Sequence, residues 1–153
     1  MQEMSEVSLR KVYESQAVEK TTVLWVSRHP PLPAQLEELE RKLGGVVVYQ
    51  LSGTIPNAEY VVEKAKELNA KYIVPVLPLS MIARLSELSR REGFTVLWAE
   101  MQQVKILSSE PKPGKDYDPE SETYIKGIEG TYKIMRFVRF HKIRAVRLEL
   151  EPF

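Results

Sequence analysis

The sequence predicts a single α/β domain, and three observations carry that prediction. Short apolar, β-rich runs alternate with amphipathic helical segments across residues 22–100. The β-rich runs are continuously apolar rather than alternating, as expected for strands buried on both faces of a parallel sheet. The length of 153 residues suits one domain and allows a core without a metal or disulfide staple.

Each element has a local reason. Residues 22–26 (TVLWV) form a first strand. Leu32, Leu36, Leu39 and Leu43 then recur at helical spacing, with Glu37, Glu38, Glu40, Arg41 and Lys42 between them. Gly44 and Gly45 end that helix. Residues 46–49 (VVVY) are a second strand, and 56–68 a second helix through Ala58, Val61, Val62, Ala65 and Leu68. Residues 72–77 are a third strand. Residues 79–91 are a third helix with Ile82, Leu85 and Leu88 on one face, ended by Gly93, and 95–99 (TVLWA) a fourth strand. Strands separated by helices imply parallel pairing with right-handed crossovers. The expected architecture is a small Rossmann-like or flavodoxin-like three-layer sandwich of four parallel strands. The TVLW run occurs at 22–25 and again at 95–98, which predicts two similar buried strands with Trp25 and Trp98 in the core.

The flanks are less regular. Residues 1–20 have Val7, Leu9, Val12 and Tyr13 as apolar anchors and read as a tail or an element added to a sheet edge. Residues 21–153 read as the domain proper. The segment 108–122 (SSEPKPGKDYDPESE) holds three prolines and reads as a loop. Residues 131–140 (TYKIMRFVRF) favour a strand, although Lys133, Arg136, Arg139 and Lys142 recur every three residues as on a helix. Residues 144–150 alternate, with Val146, Leu148 and Leu150 on one side and Arg147 and Glu149 on the other. An antiparallel β addition to the parallel sheet is expected over 123–153.

Composition excludes several classes. There are 22 Lys+Arg against 21 Asp+Glu, so the whole chain does not seek polyanions. Cysteine is absent, which excludes disulfides, thiolate metal sites and cysteine nucleophiles. His29 and His141 are the two histidines, too few for a His-rich metal centre. No acidic pair has spacing suited to magnesium. The Gly-x-Gly-x-x-Gly fingerprint and the Walker loop are both absent, so NAD, FAD or ATP use is not expected, nor any other cofactor. No apolar run approaches the ~20 residues of a membrane span. The opening MQEMSEVSLRKVYESQ is too charged for a signal peptide. These features predict a soluble, cytoplasmic protein. Two asparagines, no cysteine and abundant Lys, Arg and Glu suit a thermophile.

In an open parallel sheet, ligands bind beyond the carboxyl ends of the strands. That rule selects Ser27-Arg28-His29-Pro30-Pro31 after the first strand and Ser52-Gly53-Thr54 after the second. It selects Pro78 and Ser80 after the third, and Glu100, Met101, Gln102 and Gln103 after the fourth. Helix N-termini attract anions through unpaired backbone N–H groups. Ser52, Gly53 and Thr54 add two hydroxyls and a glycine that lets a ligand approach the backbone. Arg28 offers a positive fork suited to phosphate. His29 can exchange a proton near neutral pH. Plainer roles stay open: Ser52, Thr54 and Ser80 as helix caps, Arg28 as an ion-pair partner, His29 as a turn residue, Glu100 as a rim charge.

A second feature is basic. From Gly130 to Leu148 there is no Asp or Glu, while Lys133, Arg136, Arg139, His141, Lys142, Arg144 and Arg147 interleave with Tyr132, Phe137 and Phe140. Such a stretch suits phosphate contacts and base stacking. It equally suits a strand pair with a basic outer face, or a segment that completes the site with Arg139 or His141.

The Ser-Arg-His-Pro run at 27–30, the Leu-Pro-Leu-Ser turn at 77–80 and the basic aromatic strand RFVRFH at 136–141 together resemble a known group. The chain is similar, over roughly 22–100 and 131–147, to small CRISPR-associated Rossmann-fold (CARF-related) proteins of the ring-nuclease type. The segments 1–20 and 108–122 depart from it. The resemblance implies binding of cyclic oligoadenylate across a homodimer, in antiviral defence. It also implies metal-independent ring cleavage by attack of a ribose 2′-hydroxyl on the adjacent phosphate. Arg28 would then supply positive charge and His29 or His141 the proton transfer. Ser27, Ser52, Gly53, Thr54, Ser80, Gln102 and Arg139 would hold ligand. Two other classes are compatible with the residues: a module binding RNA or DNA through 130–147, and a non-catalytic small-ligand-binding protein of viral or plasmid type.

Overall fold

In the computed structural model, which describes residues 6–153, Val23, Leu24, Trp25 and Val26 are all buried. Successive strand residues point to opposite faces, so this run must be covered on both sides. It belongs to β2 (Lys20–Val26), which lies between β3 (Gly45–Ser52) and β4 (Tyr72–Pro75) and is parallel to both. β4 pairs in parallel with β5 (Thr95–Leu107). Three antiparallel strands extend this group: β1 (Ser8–Glu14) against β3, β7 (Tyr132–Lys142) against β5, and β6 (Glu122–Lys126) against β7. The result is one seven-stranded mixed sheet in the order β1-β3-β2-β4-β5-β7-β6.

The helices fall where the apolar spacing puts them. They are α1 (Pro33–Leu43), α2 (Ala58–Leu68) and α3 (Leu79–Glu92). α1 opens with Pro33 at its first position, where a missing N–H costs nothing, and the Gln35 side chain accepts the Leu32 N–H at 2.7 Å. α2 is capped by Asn57, whose Oδ1 accepts the Tyr60 N–H, and ends on Asn69 in the left-handed region. α3 ends on Gly93 at φ 81°. Two cores form, one on each sheet face. Ala58, Val61, Val62 and Ala65 of α2 and Leu85 of α3 pack on Leu24, Val26, Leu51, Ile73 and Val96. Leu39 of α1 packs on Val23, Trp25, Val46, Val48, Val74 and Leu97. Burying each valine, leucine or isoleucine among these contributes roughly 1.5–3 kcal/mol.

Three expectations change, and one open alternative resolves. The sheet is a seven-stranded mixed sheet rather than a four-stranded parallel sandwich with an appendage, because β1 and the β5–β7–β6 ribbon join it edge to edge. The part of 1–20 that lies within the described residues supplies edge strand β1; residues 1–5 lie outside them. The fourth strand does not stop at residue 99, because β7 supplies backbone partners as far as Leu107. Residues 144–150, despite their alternation, form no strand. The other C-terminal ambiguity resolves as strand, since Tyr132–Lys142 pairs with β5 along its length and with β6 from Tyr132 to Arg136.

The 108–122 segment is a loop, and it is folded. Asp116 accepts the Lys112 N–H at 2.7 Å, Glu122 accepts the Asp118 N–H at 2.7 Å, and the Ala34 N–H donates to Glu120 O at 2.8 Å. Its Tyr117 continues into edge-to-face contacts with Tyr124 and then Tyr132. Among the described residues, no helix is long and apolar enough to cross a membrane.

Candidate functional site

The chain leaves β2 for β3 on one side and reaches β4 on the other, so strand order reverses at β2. A crevice is expected beyond the carboxyl end of that strand. A cleft of about 380 Å³ occupies this position. It is lined by Val26 to His29, Leu51 to Ile55, and Val76 to Pro78 with Met81. The three loops after β2, β3 and β4 thus converge, and six expected residues besides Gly53 line one wall or another: Ser27, Arg28, His29, Ser52, Thr54 and Pro78.

The first loop is held from three directions. The His29 N–H donates to Ser27 Oγ at 3.1 Å. The Trp25 indole N–H donates to the His29 carbonyl at 3.0 Å. The Gln50 side-chain amide donates to the Ser27 carbonyl at 2.9 Å. Both backbone ends of Arg28 are thereby fixed, while the Arg28 and His29 side chains remain exposed. No carboxylate among the described residues pairs with Arg28, which removes the ion-pair alternative there and leaves its charge directed to the surface. Ser27 works as the brace of its own turn, with its hydroxyl already engaged by a backbone N–H.

Gln50, which the sequence reading did not single out, and Trp25, expected only as core, both position this loop. Trp25 is core, as expected, at 3% exposure, but its ring N–H also serves the loop. Gln50 is 2% exposed in β3, directly opposite Trp25 in the parallel register, and also accepts from Arg10 of β1 at 3.3 Å. A lone glutamine within VVVYQLS was the available signal, since a buried amide must find partners.

The second loop corrects two expectations. Asn57 caps α2, so Ser52 and Thr54 are not its caps. Gly53, at φ 108°, has its open side filled: a Cβ there would stand 2.5 Å from Glu6 O. The Cβ side of this glycine is taken by the chain entering β1, while the residue itself lines the cleft. Ser80 lies in the first turn of α3 and is no cap either, because Pro78 holds that position without a side-chain bond. Ser80 does not line the cleft, although its neighbours Pro78 and Met81 do.

The β5 and β7 residues are elsewhere. Glu100, Met101, Gln102 and Gln103 are strand residues rather than a loop. Trp98 stands opposite His141, Glu100 opposite Arg139 and Gln102 opposite Arg136, so these six share one sheet face. His141 Nε2 lies 2.5 Å from Glu100 Oε1. None of Gln102, Arg139 and His141 lines the cleft. Helix cover on this face stops at Val96, which is why Trp98 is 44% exposed rather than buried. The basic residues are divided. Arg136 and Arg139 lie on this face, with Arg136 bonded to Glu122 at 3.1 Å, while Lys142 lies opposite Leu97 on the other. Within β7 the basic side chains are thus split between the two faces of the sheet.

Among the described residues, no three His, Asp or Glu side chains gather as a metal site would require. No family model matches the chain, and neither the curated proteins nor the solved structures contain a significant match to it.

Proposed function

We propose that this chain is a Rossmann-like, CARF-related nucleotide-binding protein of the cytoplasm that opens cyclic oligoadenylate without a metal, acting in antiviral defence as a homodimer. The observation that supports this most is the placement of Arg28 and His29 on a braced turn at the reversal point of the sheet, in one cleft with Ser52 and Thr54. A phosphodiester bound there would meet an unpaired guanidinium, which stabilises the extra negative charge of a phosphorane. The ribose 2′-oxygen attacks the adjacent phosphorus, the bond to the 5′-oxygen breaks, and the products are a 2′,3′-cyclic phosphate and a free 5′-hydroxyl. His29 is the group able to accept the 2′-proton and return one to the leaving oxygen.

The test is incubation of the purified protein with cyclic tetra- and hexa-adenylate in chelator, with chromatographic separation of products. Linear products that fall by about 10²–10³-fold in Arg28→Ala would support the assignment, since one removed charge stabiliser costs about that much. His29→Ala should fall likewise. Intact rings with no shift in melting temperature would overturn it.

A further inference from the structure

The C-terminal segment alternates in sequence as a strand would, yet it pairs with no strand among the described residues. β7 runs antiparallel to β5 with Lys142 opposite Leu97, and the Ile143 N–H donates to Val96 O at 2.9 Å. One further step exhausts β5, which begins at Thr95 just after the left-handed Gly93. The alternating residues beyond therefore pass the end of their own sheet. Leu148 and Leu150 are 78% and 87% exposed, and Val146 is half-buried.

The order of residues 146–150 (VRLEL) has a property that intramolecular packing does not require. Laid antiparallel on itself with Leu148 opposite Leu148, it sets Arg147 opposite Glu149 and Val146 opposite Leu150, each twice. The charges fall on one face and the apolar side chains on the other. Opposite charges directly across an antiparallel pair stabilise it, and like charges destabilise it.

We propose that residues 146–150 pair antiparallel with the same residues of a second copy of this chain, about a twofold axis at Leu148. The contact extends β7 of each protomer into a shared ribbon. It names a surface for self-association and does not depend on what the cleft binds. Two short strands bury little area, so the dimer is weak and its population rises with concentration.

Sedimentation velocity over a roughly hundredfold concentration range tests this, because mass action then separates monomer from dimer. The native chain should shift from monomer to dimer. Arg147→Glu and Glu149→Arg should each weaken dimerisation by about tenfold or more, since both rungs become like-charged. Mixed in equal amounts, the two variants should dimerise again, because every rung of the mixed pair joins opposite charges. The double exchange R147E/E149R should associate as the native chain does. A native chain that stays monomeric would overturn the proposal. So would single variants that dimerise normally, or a chain ending at Ile143 that still dimerises. Melting curves check that each variant is folded. A monomer that still binds cyclic oligoadenylate overturns the tail contact alone and leaves the ligand assignment standing.

Discussion

Replacing Gln50 by alanine removes the donor that fixes the Ser27 carbonyl and opens a space in a position only 2% exposed. Two costs add. Ser27 is itself buried, so its carbonyl is left without its partner, at about 1–3 kcal/mol. The vacated volume adds a cavity cost, so a total of about 2–4 kcal/mol is expected. In a chain of this length that lowers Tm by roughly 4–16 °C. Gln50→Leu refills the space without restoring the bond, and so isolates the orphaned carbonyl. It should be less destabilising than Gln50→Ala but should still loosen the turn that carries Arg28 and His29. Urea unfolding gives the stability difference, read from the midpoint at constant slope. The proposed ring cleavage, assayed on the folded variants well below their melting temperatures, tests the functional consequence. Two substitutions both within about 0.5 kcal/mol of the native chain would refute the bracing role, because a surface residue behaves that way. Cleavage unaffected by a clearly destabilised Gln50→Leu would separate the turn from the chemistry.

Other substitutions test other parts of the fold. Leu24→Ala, at a fully buried position packed among Leu51, Val61 and Ile73, should cost about 2–5 kcal/mol in chemical unfolding. Gly53→Ala places a Cβ against the Glu6 carbonyl at a positive φ, so it should cost about 1–3 kcal/mol. Hydrogen exchange should localise that loss to β1, with the β2 amides still protected. Glu40 of α1 accepts hydrogen bonds from Ser15 at 2.5 Å and from the Tyr13 hydroxyl, and these hold its carboxyl below the ordinary 4.5. A depressed folded-state value means the stabilisation is full above 4.5 and is lost as pH falls through the lowered value. Glu40→Gln should therefore be less stable than the native chain at pH 7, and the gap should close in urea titrations at progressively lower pH; a gap independent of pH would refute the carboxylate's role.

The helices and the parallel strands were legible because their signals are local. Leucines at 36, 39 and 43 mark the face that α1 buries, and runs such as VLWV can be satisfied only with cover on both sides. The position of the cleft was legible for the same reason: β-α-β order forces the loops after β2, β3 and β4 to one edge, so Arg28, His29, Ser52 and Thr54 meet there. What sequence order cannot hold is which backbone edge a strand finds. The pairing of β1 with β3, and of β7 with β5, joins segments dozens of residues apart, and it turned Glu100 and Gln102 from loop residues into the middle of a strand. The same long-range pairing set His141 against Glu100 rather than in the cleft, and left Trp98 exposed where its twin Trp25 is buried. Identical local sequence, TVLW, thus meets two environments, because burial depends on what the rest of the chain lays over a strand and not on the strand itself. Gly53 and Gln50 make the same point at single residues. A glycine and an amide announce that some special contact exists, but only the tertiary structure decides that the first makes room for the chain near Glu6 and the second holds the turn at Ser27.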